Sequence, residues 1–212
     1  MVSKIESLEF AGIELESELC LDFVTGEPFI SALKEAGRIT KRTGYEAGFV
    51  VENDFSVSEV VEGTTDSTAL PIDLAVDQES RMTVHFHPDN ELFPSGADLS
   101  GITAYEESHV LGVAIIDEVG SIDLLLIKTT KKLPYPLSVF DDFYDSASED
   151  AWDLLPVQGN SVSDETKKGL LDILNKSGLF KAVVITLGDK DGGFSQTEKE
   201  SLQEFFRGED NA

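Results

Sequence analysis

Residues 84–98 read VHFHPDNELFPSGAD. The chain of 212 residues holds three histidines, and two of them, His85 and His87, stand here with one residue between them. The stretch RMTVHFH (81–87) is rich in apolar, β-branched and aromatic residues. It stops at Pro88, which cannot donate to a strand ladder and keeps its predecessor out of the helical region. A strand over 81–87 follows. Residues i and i+2 of a strand project from one face, so His85 and His87 present two imidazoles side by side while Phe86 points into packing on the other. The loop DNELFPSG then leads to Ser95 and Asp98, with ten residues between His87 and Asp98. Asp98 completes a set of three if that loop folds its far end back over the strand. Two imidazoles and one carboxylate, with a fourth position left to water, form the ligand set of a catalytic zinc site rather than a structural one. Ser95-x-x-Asp98 is also the pattern of a capping box opening a helix over 97–108. Both readings of that pair are open.

Outward from this stretch, PFISALKEAGRITKR (28–42) places Phe29, Leu33 and Ile39 near helical spacing, with Gly44 as the break after it. AGFVVEN (47–53) predicts a buried strand turning at Asn53-Asp54, and further strands are expected over 55–61 and 68–76 around the polar EGTTDS loop. VLGVAIID (110–117) and IDLLLIKTT (122–130) predict two strands meeting at Val119-Gly120-Ser121. Towards the C-terminus come a helix (164–176), a strand (180–187), the turn DKDGG and a last helix whose start is marked by the capping box SQTE at 195–198. Residues 5–24 nearly alternate apolar and acidic positions, which predicts a β-hairpin or two short strands. The acidic-aromatic segment 134–160 carries no regular period.

Asp plus Glu number 41 against 16 Lys plus Arg, a formal charge of −25. Nucleic acid or an anionic membrane surface would be repelled by such a chain, so neither is expected as a partner. The acids run from Glu6 to Asp210 with only local clusters. That spread fits adaptation of the whole surface to a salt-rich cytoplasm better than an interaction tail. Cys20, the only cysteine, excludes an intramolecular disulfide and reads as a small buried apolar residue. With no basic-then-apolar leader pattern and no apolar run approaching 18 residues, the expectation is a soluble, cytoplasmic protein.

H-x-H-P followed by S-x-x-D at this spacing resembles the signature of the JAMM/MPN+ zinc isopeptidases. That family also carries a glutamate at the head of a strand that follows a helix, in the pattern E-x-G. GYEAGFVV supplies it as Glu46, two residues before Gly48. Family members often have a second glycine shortly after that strand, where this chain has Glu52-Asn53, so Glu52 and Glu59 are rivals to Glu46. The resemblance covers residues 28–130, about half the chain.

It implies an α/β (α+β) fold of the cytidine-deaminase-like, MPN sandwich kind: a central mixed β-sheet flanked by helices. The organisation expected is a β-hairpin extension (1–27), the catalytic core (28–133), and an acidic loop with a helix-strand-helix extension packed on the core (134–212). It implies one Zn²⁺ per chain on His85, His87 and Asp98, Glu46 as general base and Ser95 as donor to the oxyanion. The activity implied is hydrolysis of the amide bond after the C-terminal glycine of a ubiquitin-like or sulfur-carrier modifier, gripped by β-augmentation on a strand edge. The alternative is a catalytically silent MPN scaffold or binding module within a larger assembly. His109 has no partner at ligand spacing and reads as structural. The histidine pair also opens the metal site of amidohydrolase barrels, but those need about 250 residues and ligands on many strands.

Overall fold

A computed structural model describes residues 18–65, 67, 80–89, 91–104, 109–130, 147, 162–188 and 193–207. Six strands form one mixed sheet: β1 (Ala47–Glu52), β2 (Val61–Glu62), β3 (Ser80–Phe86), β4 (Val110–Ile116), β5 (Ile122–Thr129) and β6 (Phe180–Leu187). Their spatial order is β2-β1-β3-β4-β5-β6. β3 and β4 run parallel, and every other neighbouring pair is antiparallel. The helices are α1 (18–24), α2 (Glu27–Thr43), α3 (Gly96–Ala104), α4 (Asp164–Lys176) and α5 (Gln196–Phe206). The architecture is therefore mixed α/β, with helices on both sheet faces.

The inner strands are apolar nearly throughout because both faces are covered. β1 is buried at its first five positions, and β4 and β5 at their first six. On one face α2 and α5 lie over Phe49, Val84, Phe86 and Leu124, adding Phe29, Leu33, Leu202 and Phe205. On the other, α3 and α4 bring Leu99, Ile102, Leu170 and Leu174 onto Leu111, Val113, Leu125 and Ile127. α2 buries Phe29, Ala32, Leu33, Ala36 and Thr40, the stripe its periodicity dictates. Its end is fixed by Gly44, which takes the left-handed conformation (φ 70°) and donates its N–H to the Thr40 carbonyl. α4 is fastened to the sheet through Lys167, whose Nζ donates to Asp123 Oδ1 (2.6 Å) and Thr186 Oγ1 (3.0 Å).

β6 pairs with β5 over eight positions, so part of the 134–212 region contributes a strand to the same sheet as the upstream elements. Its outer edge is blunted by side chains. Asn175 Oδ1 accepts from the Ala182 N–H (2.8 Å) and Glu198 Oε1 from the Thr186 N–H (2.7 Å), two backbone donors that would otherwise invite another strand.

Several expectations need correction or fall elsewhere. Residues 18–24 form α1, not the strand that alternation suggests. Short apolar patterns do not separate the two periods, and the helical turn places Cys20 and Val24 four apart, with Val24 buried and Cys20 half-buried. Residues 1–17 of the expected hairpin, the expected strand 68–76, and all of 134–160 except Ala147 lie outside the described residues. The strand expected over 55–61 is reduced to a single bridge, Val51 to Val57, followed by the two-residue β2. Asp54 starts a turn there by accepting the Ser56 N–H, and Phe55 takes a positive φ, which breaks the extended run.

Candidate metal centre

His85 lies within β3. His87 is the first residue past its end, still held to β4 by its N–H bond to the Ala114 carbonyl (2.9 Å). Both imidazoles are buried on the face covered by α3. The loop after them folds back because Leu92 and Phe93 bury themselves in the core beneath α3. That return places Asp98, in the first turn of α3, against the two histidines.

His85 Nε2 and His87 Nε2 are 3.0 Å apart. Asp98 Oδ1 lies 3.3 Å from His85 Nε2, and Oδ2 3.6 Å from His87 Nε2. Ligand atoms on a tetrahedral ion with bonds of about 2.0–2.1 Å sit about 3.3–3.4 Å from one another. The two Nε2 atoms and the nearest oxygen of the Asp98 carboxylate to each lie at distances close to that edge, and one ligand atom from each of the three residues lies within 4.8 Å of the others. Among the described residues they form the one group of three or more His, Cys, Asp or Glu side chains able to hold a metal ion.

The two readings of Ser95-x-x-Asp98 turn out to be compatible. The Ser95 N–H donates to Asp98 Oδ2 (2.8 Å), the Asp98 N–H donates to Ser95 Oγ (3.2 Å), and the Leu99 N–H reaches the Ser95 carbonyl (3.1 Å). This is a reciprocal cap on α3, and the same carboxylate faces the histidines. The cap uses an acceptor lone pair of the Ser95 hydroxyl, which keeps its own proton to donate. Ser95 is exposed at the rim of the site.

His87 has its other nitrogen engaged as well. Nδ1–H donates to the Glu91 carbonyl at 2.7 Å, which turns Nε2 towards Asp98 and His85. Burial pushes the His87 pKa down, but the hydrogen bond and charge of Asp98, the Glu91 carbonyl and the charge of Glu46 together raise it above the usual histidine value. Burial pushes Asp98 up, yet hydrogen bonds from His85 and His87 hold it well below the usual carboxylate range. The two imidazoles and the carboxylate form one electrostatic unit.

β1 brings Glu46. Its pairing with β3 sets Ala47 opposite Phe86 and Gly48 opposite His85, so Glu46, just before β1, and His87, just past β3, extend from the same end of the paired strands. The Glu46 charge is felt at His87. The rivals lie elsewhere. Glu52 pairs with Ser80, six residues along β1 and about 20 Å from Glu46. Glu59 is exposed on the segment flanking β1 away from β3. The structure brings His85, His87 and Asp98 together, with Ser95 bonded to Asp98 and the charge of Glu46 acting on His87.

Two nearby contacts carried no sequence signal strong enough to be read. The Glu91 carbonyl is a backbone group. His109 is buried and shares a hydrogen bond with Thr83 Oγ1 (3.2 Å) on the same sheet face as the metal-ligand candidates, a contact that depends on strand register. No helix among the described residues is long and apolar enough to cross a membrane. Compared with family models, curated proteins and solved structures, the chain finds no match.

Proposed function

We propose that the protein is a zinc-dependent amide hydrolase of the JAMM/MPN+ kind, cutting after the C-terminal glycine of a ubiquitin-like or sulfur-carrier modifier. The observation that carries this reading is the buried grouping of His85, His87 and Asp98, whose imidazole nitrogens and carboxylate lie 3.0–3.6 Å apart, with the charge of Glu46 acting on His87. A helix-flanked mixed sheet, with the ligand strand beside the strand headed by the glutamate, is also the arrangement that an MPN sandwich requires. Zn²⁺ supplies a Lewis acid that polarises a carbonyl and lowers the pKa of water from about 15.7 towards 7.

The chain's own residues do the rest. Glu46 accepts the proton of the attacking water as its oxygen bonds to the amide carbon, then returns that proton to the amine as the C–N bond breaks. The Ser95 hydroxyl donates to the oxygen that becomes negative in the tetrahedral intermediate, a contact worth about 2.7–4 kcal/mol for a single donor. His87, held by the Glu91 carbonyl, cannot turn its ring away from the site. The half-exposed Glu46 beside buried imidazoles gives the base access to substrate while the ligands stay dry.

The test is cleavage of a modifier fused through its terminal glycine to a lysine side chain. The zinc-loaded protein cuts after the glycine, a chelator stops it, and added zinc restores it. Glu46→Gln keeps the zinc and loses hydrolysis by orders of magnitude. Cleavage that survives both the chelator and Glu46→Gln contradicts the mechanism. A zinc-loaded protein inert towards every such conjugate points instead to the scaffold reading.

A further inference from the structure

We infer that Asp123 and Lys167 form a second contact for the substrate, holding the polypeptide that carries the amine released at the metal. The inference rests on the amide-hydrolase reading above and says where the leaving half of the substrate lies. Asp123 is only 7% exposed, yet its bonds are lopsided. Lys167 Nζ and Thr186 Oγ1 both donate to Oδ1, each at 2.6 Å. Oδ2 has no partner among the described residues. It is not sealed from solvent either, since among those residues Thr40 Oγ1 is the one fully buried side-chain atom that lacks a partner. Lys167 uses two of its three ammonium hydrogens, on Asp123 and on Thr186 (3.0 Å), and its side chain is 17% exposed. A carboxylate taken this far out of water normally has both oxygens bonded. Here an acceptor and a donor stand side by side unused, a match for the N–H and C=O of a peptide chain.

Strand pairing places this pair relative to the metal ligands. Asp123 lies opposite Ile115 on β4, and Val113, two residues earlier, lies opposite His85. Asp123 therefore shares the sheet face of His85, and Leu125 and Ile127 continue that face along β5. The Ala114 carbonyl takes the His87 N–H, so one strand separates His87 from Asp123 at the same end of the sheet, about 10 Å between backbones. A lysine side chain spans about 6 Å from Cα to Nζ, and the next Cα is about 3.8 Å further on. A peptide unit beside the released lysine reaches Asp123 over that length. The approach of the other half is set by the sheet edges. The β6 edge is blunted by Asn175 and Glu198, so an extended modifier tail comes to the metal from the β2 side. The β4–β5 side is left to the chain that bears the amine.

The experiment compares two conjugates of one modifier, both amides of its terminal glycine. One is made on a lysine within a peptide, the other on butylamine, which has no peptide beyond the nitrogen. The zinc-loaded chain shows a KM about tenfold lower for the peptide conjugate at similar kcat, as expected of a hydrogen bond or two to charged groups. Asp123→Asn and Lys167→Met each remove that advantage while affecting the butylamine conjugate far less. The double variant Lys167→Met/Asp123→Leu replaces the buried pair by apolar residues, which keeps the fold, and it lacks the advantage too. Equal losses on both conjugates would mean that the pair only supports the fold, and would overturn the subsite. A folded double variant that still prefers the peptide conjugate overturns it as well. An unaltered chain that cuts both conjugates with the same KM removes the subsite and leaves the hydrolase reading standing. A zinc-loaded chain that cuts neither refutes that reading first, and the subsite falls with it.

Discussion

Asp98 serves two structures with one carboxylate, capping α3 and facing both histidines, and the two duties separate by substitution. Asp98→Asn keeps a carbonyl oxygen that can accept the Ser95 N–H, so α3 should start normally while the anionic ligand is lost. Zinc affinity should then fall by more than the roughly 10–100-fold caused by losing an outer hydrogen-bond partner. Asp98→Ala loses the side-chain half of the cap as well and should cost a further ~1 kcal/mol of stability, seen in denaturant titrations of the metal-free chains. Protons probe the same group. His87 has a raised pKa, so its pairing stabilises the fold below about pH 6.5 and that contribution is lost as pH rises through the higher folded value. Asp98 has a lowered pKa, so its contribution is present above about pH 3.9 and is lost as pH falls. Without metal, the stability difference between the unaltered chain and Asp98→Ala should peak between about pH 4 and 6.5 and shrink above neutrality. A difference that is flat with pH would mean the charges contribute nothing.

At the scale of elements, glycines mark where backbone and packing leave no alternative. Gly44 sits at φ 70° with no atom within 4 Å of where a Cβ would lie, so Gly44→Ala should cost about 1 kcal/mol through backbone conformation alone. At Gly112 a Cβ would come within 2.9 Å of Val84 Cγ2 and 3.3 Å of Leu124 Cδ1. Gly112→Ala should therefore cost about 1–3 kcal/mol by overpacking. It should also weaken zinc binding, because Val84 precedes His85 on the strand it displaces. Equal effects of the two on metal affinity would contradict this. The elements themselves were legible where one physical signal dominated. The runs 47–53, 110–117, 122–130 and 180–187 read as strands because a sheet covered on both faces needs largely apolar stretches. The last helix was legible from its capping box, which forms as written between Ser195 and Glu198. The site was legible because a spacing of two along a strand fixes a shared face without further knowledge. α1 was not, since its seven residues have apolar positions at 19, 20, 21, 23 and 24, of which 19, 21 and 23 alternate while 20 and 24 stand at helical spacing. Nor could the sequence show that His109 meets Thr83, because the contact depends on pairing between residues 26 positions apart.

For the whole molecule the governing quantity is the charge of −25. At 0.1 M salt, charges act over about 10 Å; at 1 M, over about 3 Å. Self-repulsion of the folded chain should therefore weaken with salt, and its melting temperature should rise between those concentrations. Cleavage of an acidic modifier should rise too, mainly through KM, while cleavage that falls steadily as salt rises with the fold intact would mean a basic substrate held by attractive charge pairs. All of the chemistry argued above depends on one occupant. Metal analysis of the purified protein after equilibration with micromolar zinc and removal of the excess tests that directly. The account predicts close to one zinc per chain, and sharply less in Asp98→Asn measured in parallel. A folded protein that stays metal-free, or one whose zinc is indifferent to Asp98→Asn, would contradict it.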